Sequence, residues 1–298
     1  MGDFMASITD VVKEGLKYPF NDGKKVLILG AIFLLSSLVS LFMNYFVFDS
    51  LKVIENNAPL ETFQALFAAI PQTNMALIIL SWIVTLVLML FVSGYIYDVI
   101  KYAIEGKYEL PEFKDIKGMF IKGIKTWIVG IAYSILPGIL FLLGIMLAVN
   151  EAVGSSVNAI GGIILLFAMA FAIFVALFEI MAVNNMVAKD DLKAAFDFKE
   201  IFALIKSIGW GKYIGILLFS FIAIMIVSVF AGFIFGVIAA GVSMLIGSSI
   251  ALVLTNTILD SLLLSPYTSI VISRIYGAVY RQANGLELEN TKEAEVGV

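Results

Sequence analysis

Few residues in this chain could do chemistry, and apolar sequence surrounds them. Asp260 lies in the stretch Asn256-Thr257-Ile258-Leu259-Asp260-Ser261. On a helix Asn256 falls one turn before the acid, on nearly the same line, and Thr257 and Ser261 widen the polar arc beside it. A carboxylate among hydroxyls and an amide can line a polar path or receive a lipid headgroup. It can also be satisfied by those neighbours and fix the register of its helix. Glu179 is a second acid of this kind, followed by Asn184 and Asn185, with Lys189 within reach. Asp260, Asn256, Glu179, Thr257 and Ser261 are the candidate ligand or path residues. Paired carboxylates can carry acid–base catalysis, but nothing in the spacing brings Asp260 and Glu179 together. Asp98, close to Lys101, has the position of an interfacial residue.

The chain contains no cysteine and no histidine. Disulfides, thiolate nucleophiles and the commonest metal ligands are therefore missing. No phosphate-binding loop, dinucleotide fingerprint, serine elbow or metalloprotease helix occurs. We expect no cofactor, no metal, no nucleic-acid partner and no enzymatic activity.

The elements that position these residues follow from composition. Of 298 residues, 61% are hydrophobic and 14% charged, and mean hydropathy is +1.02. That is more apolar surface than a soluble core can hide, so a multi-pass, all-α membrane protein is expected. Apolar runs follow Lys24 and Lys25 to about Phe48, then cover about Met75 to Ile104, Thr126 to Val149 and Ala159 to Val187. A longer tract over 213–259 splits near Gly247, Ser248 and Ser249 into a fifth span and the start of a sixth, ending near Tyr280. Each run suffices to cross a hydrocarbon core of roughly 30 Å at about 1.5 Å per residue. If the sixth begins near Ile250, Asp260 falls roughly 15 Å along it, near the bilayer midplane. An acid there costs about 2.5 to 3.5 kcal/mol unless it faces protein or water.

Eighteen of the nineteen Lys and Arg residues fall on one side of these six spans. The positive-inside rule then places both termini and the two long basic loops in the cytoplasm of a cell-membrane protein. A short helix carrying Phe63, Leu66, Phe67 and Ile70 is one reading of the outer loop over 49–74, and a plain loop is the other. The acidic residues from Glu287 to Val298 have the composition of a disordered cytoplasmic tail beyond a single transmembrane domain over 1–285.

Three segments, DFMASITDVVKEGLKYPF, EFKDIKGMFIKGIKTW and DFKEIFALIKSIGWGKY, are amphipathic and each precedes a pair of spans. The pattern suggests three pseudo-repeated hairpins over 1–112, 113–196 and 197–285, each introduced by a cytoplasmic amphipathic helix. Small or polar rows at a spacing of four, Ser36-Ser40-Asn44, Ala168-Ala172-Ala176 and Ser228-Gly232-Gly236-Ala240, are expected to pack helix on helix. Pro137 and Pro266 are expected to kink spans three and six.

Tyr18-Pro19-Phe20, Gly94-Tyr95, Gly106, Glu109-Leu110-Pro111-Glu112-Phe113, Lys122-Gly123 and Ala195-Phe196-Asp197-Phe198 stand at the charged joints between spans. In these motifs the chain resembles the largely archaeal integral-membrane family catalogued as domain of unknown function 4013. The resemblance implies a multi-pass membrane protein and transfers no catalytic residue. The expected function is binding of membrane lipid or a membrane protein partner, at a crevice bordered by spans four and six. The alternative is a transporter or channel for a small solute or ion, with Asp260 and Glu179 on a common polar path.

Overall fold

The computed structural model describes residues 8–55, 71–148 and 154–285. The surface helix expected at 63–70, the acidic tail and the residues before Ile8 lie outside the described residues. Helix makes up 91%, and no strand occurs among the described residues. In order come α1 (Ile8–Lys17), a 3-10 turn (Tyr18–Asn21), α2 (Gly23–Glu55), α3 (Gln72–Ile104), α4 (Ile116–Ala148) and α5 (Gly154–Lys189). A second 3-10 turn (Leu192–Phe196), α6 (Phe198–Ile208), α7 (Trp210–Ile246) and α8 (Ser249–Leu259) follow. A π-helical turn (Asp260–Leu264) then joins α8 to α9 (Ser265–Ala283).

Six of these segments are long and apolar enough to cross a membrane, and the part Gly23–Val47 of α2 alone has 25 residues. At about 1.5 Å per residue that is roughly 37 Å, more than a bilayer core requires. Large apolar side chains such as Trp82, Phe230, Phe233 and Leu245 stand exposed, as lipid-facing surface does. The chain is a multi-pass helical membrane protein. Gly247, with φ 70°, ends α7 where a break in the long apolar tract is expected.

The described residues form two compact units. The first takes in α1, α3 from Ser93, α4, α5, α6, α7 as far as Ala223, and α9 from Ile270. Here α4 and α5 run antiparallel: Gly144 faces Leu165, and Gly161 faces Ala148. Gly94 of α3 meets the main chain of α4 at Met119 so closely that a Cβ would overlap the Met119 carbonyl. Around this crossing Tyr95 stacks on Phe113, with ring centroids 4.2 Å apart, and donates to the Pro111 carbonyl at 3.3 Å. The Tyr18 hydroxyl donates to the Glu109 carbonyl at 2.6 Å, and Asn21 donates to the Tyr108 carbonyl at 2.8 Å. The motif residues at the joints thus fasten one another.

The amphipathic segments are not alike. α1 buries Val11, Val12 and Gly15, and α6 buries Ile201, Leu204, Ile205 and Ile208. The second segment forms no separate helix: residues 116–127 are the opening turns of α4, where Gly118 and Gly123 sit within the helix and no proline stops it before Pro137. Glu14, placed on the polar face of α1 by its spacing, turns inward to meet Arg274 of α9.

The second unit takes in α2, α3 as far as Val92, α7 from Ile224, α8, the π turn and the start of α9. Pro266 has no N–H for the Leu262 carbonyl four residues before it. That carbonyl faces Gly30 of α2, where a Cβ would stand 2.5 Å away. Glycine at position 30 therefore lets α2 lie directly against the π turn, and the disturbance expected at Pro266 takes the form of that turn. Pro137, by contrast, is buried inside an α4 that runs unbroken.

Candidate functional site

A polar cleft of about 550 Å³ opens in the second unit. From α2 it is lined by Ser36, Ser37, Ser40 and Asn44, and from α3 by Thr85. Gly232 and Phe235 of α7 form another wall. The last wall is Asn256, Thr257, Asp260 and Ser261, where α8 passes into the π turn. A π turn closes wider hydrogen-bonded rings than an α-helix and such turns are frequent at functional sites. Here the Ser265 N–H bonds the Asp260 carbonyl, and the Ser265 hydroxyl donates to Asp260 Oδ2 at 2.9 Å. The Ser261 hydroxyl donates to the Ser37 hydroxyl at 2.8 Å and ties the turn to α2.

Four of the five candidate residues therefore share one cleft, and Glu179 does not. Glu179 belongs to the first unit, on α5, where its Oε1 would lie 3.4 Å from a Cβ on Gly130. Lys189 pairs with Glu200 instead. Asn184 and Asn185 are fully buried, and Asn185 accepts from Tyr280 at 2.8 Å while donating to the Ala194 carbonyl and Glu200 at 3.0 Å. Asp98 pairs with Lys122 at 2.7 Å, a partner 24 residues away that sequence neighbours do not reveal.

Two of the expected packing rows behave differently from a helix contact. Ser36, Ser40 and Asn44 line the cleft, and their polarity in an otherwise apolar span was the signal for it. Gly232 and Gly236 are exposed, with no atom within 4 Å of the place a Cβ would take, while Ser228 and Ala240 of the same row are partly buried. Of the alanine row, Ala168 alone is fully buried.

A second cavity, of about 340 Å³, lies in the first unit. Its walls are Tyr133 and Leu136 of α4, Phe171, Phe174 and Phe178 of α5, and Phe196 and Phe198 beside the 3-10 turn. The Tyr133 hydroxyl donates to the Ala195 carbonyl at 2.8 Å and holds that turn over the crevice. It lies between spans three and four rather than at spans four and six.

Arg274, counted in the sequence only as an orienting charge, is 1% exposed. It donates to Glu14 Oε1 from Nε at 2.9 Å and from Nη2 at 2.5 Å, and to the Lys107 carbonyl from Nη1 at 2.5 Å. The guanidinium also lies over the ring of Tyr18, 4.4 Å from its centroid. Burial pushes the Tyr18 hydroxyl up to about 12 despite the nearby guanidinium. These contacts bind α1, the loop after α3 and α9 together.

The family model described as protein of unknown function (DUF4013) matches residues 76–236, more than half of the chain. The chain belongs to this family. It is also 25% identical, over 205 residues, to the uncharacterized protein MJ1189 of Methanocaldococcus jannaschii, an alignment covering 67% of this chain and 70% of that protein. No solved structure matches. The residues matched by the family model include Thr85, Glu179 and Gly232 and end before Asn256 and Asp260.

Proposed function

We propose that this protein binds a small polar solute within its membrane-spanning region and passes it across the membrane, with the Asp260 cleft as the binding site. The observation that carries this reading is the collection of Ser40, Asn44, Asn256, Thr257 and Asp260 around one open cleft inside helices apolar enough to span a bilayer. Polar side chains at such depth are costly unless they face one another or water, and a cleft of about 550 Å³ is ligand-sized. No catalytic step is assigned to it. Glu179 is not part of this path.

In this reading the chain is one transmembrane domain of the cell membrane with both termini in the cytoplasm, where the positive charge collects. The threefold hairpin repeat is retained as a proposal about its origin, modified by the absence of a separate second helix. Lipid binding is the second reading, favoured by the aromatic crevice at Tyr133, which suits an acyl chain.

The test uses Ser40→Cys in a chain that has no native cysteine. A neutral, water-soluble thiol reagent should label it in proteoliposomes, and Gly232→Trp, which fills the cleft, should suppress the labelling. An unreactive Ser40→Cys, under conditions that label Asn284→Cys on the exposed surface, would mean a dry cleft and end the solute reading.

A further inference from the structure

We propose that the Asp260 cleft takes a small monovalent cation, either an inorganic ion of sodium size or the ammonium group of a small amine, with the Asp260 carboxylate as its counter-charge. This rests on the reading of the cleft as a wet binding site and adds the charge class of its ligand.

The observation behind it is the contrast with four carboxylates that the chain pairs with its own cations. Glu14 is paired with Arg274, Asp98 with Lys122, Asp190 with Lys125 and Glu200 with Lys189. Among the described residues Asp260 forms no ion pair and no Lys or Arg lines the cleft. Its hydrogen bond from Ser265 engages Oδ2. Glu179 also forms no ion pair among the described residues, but it lines neither cavity. A carboxylate inside the spanning region with no cation among its described neighbours can be stabilised by a cation that enters from water.

The neutral lining fits such a guest. Ser40, Asn44, Asn256 and Thr257 offer hydroxyl and amide oxygens, the donor atoms that hard cations take and that an ammonium group can hydrogen-bond. An anionic solute would meet an acid that no cation among the described lining offsets. A neutral solute would leave the acid uncompensated.

The experiment compares two reagents at Asn256→Cys in the otherwise complete, cysteine-free chain. Cationic 2-aminoethyl methanethiosulfonate and anionic 2-sulfonatoethyl methanethiosulfonate are each timed, and each rate is divided by that reagent's rate with a small thiol in solution. A cleft of one charge sign concentrates counter-ions by roughly tenfold or more, so the cationic reagent should be favoured by about that factor. Adding Asp260→Asn should bring the ratio close to one, and Asp260→Glu should keep it. Size-exclusion profiles of both variants separate loss of charge from loss of fold. Sodium chloride and ethanolammonium chloride, at the ionic strength of an N-methylglucamine chloride control, should identify the guest by which of them slows the cationic reagent.

Comparable normalised rates for the two reagents would overturn the cation assignment while leaving a wet cleft. A high ratio with protection by neither salt would also overturn it, since nothing would be bound. If neither reagent reacts although Asn284→Cys does, the solute reading falls with it.

Discussion

Arg274 and Glu14 make a buried pair whose energy is clearest when one member is removed. Glu14→Ala leaves the guanidinium without its carboxylate and should cost about 3 kcal/mol, read as a lower midpoint of unfolding in detergent. Arg274→Met combined with Glu14→Leu should recover much of that loss, because two apolar side chains strand no charge. An unchanged midpoint for Glu14→Ala would show that the pair does not hold α1 in place. At Asp190, hydrogen bonds from Lys125 and from Tyr97 hold the carboxyl below its usual range. A carboxyl lowered in the folded state adds stability above its unfolded value of about 4, and loses it as pH falls through the lower folded value. The unfolding midpoint should therefore drop on acidification below about pH 4. Asp190→Asn should flatten that part of the profile, since asparagine tolerates the left-handed φ of 51° found there. An identical acid limb in the variant would contradict the assignment.

At the scale of elements, the turn from α8 to α9 brings Asp260 into a shared cleft, and its fit against α2 depends on Gly30. Gly30→Leu would push the Leu262 main chain aside and should destabilise the protein by about 1–3 kcal/mol while slowing thiol labelling at Asn256→Cys. Normal stability and labelling would mean that α2 does not need this close approach. The spans themselves were legible in the sequence, because runs of Leu, Ile, Phe and Val long enough to cross a bilayer have few alternatives, and the break at Gly247 followed from tract length. The polar arc at Asn256, Thr257, Asp260 and Ser261 was legible from helical spacing alone. Its partners on α2 were not. Ser36, Ser40 and Asn44 recur every four residues, and that spacing serves a helix contact and a cavity wall equally well. The Glu14–Arg274 pair was hidden for another reason: 260 residues separate its members, and local periodicity carries no trace of such a pairing. The opening turns of α4 escaped as well, since amphipathic sequence running without a proline into an apolar span gives no signal of where one helix should end, and Gly118 and Gly123 are tolerated inside the helix.

For the whole molecule, orientation and transport each have their own readout. Cysteines at positions 115 and 193 should react with an impermeant reagent only from the cytoplasmic face, and one at 154 only from outside; the reverse pattern would invert the topology argued from lysine and arginine placement. The aromatic crevice at Tyr133 offers a check on lipid binding: an acyl chain seated there predicts that Phe174→Ala and Phe178→Ala reduce co-purifying lipid in mass spectra, and unchanged lipid would contradict it. A solute path makes the stronger demand. Its most direct measurement is the release of trapped radiolabelled sodium, ethanolammonium and glycerol from proteoliposomes, for wild type, Asp260→Asn and Gly232→Trp. Release of at least one solute should be faster than from protein-free vesicles, with both substitutions slowing it by about tenfold or more, as loss of the cleft's charge and filling of its space require. Release of all three at the protein-free rate, or release untouched by both substitutions, would contradict a path through the Asp260 cleft.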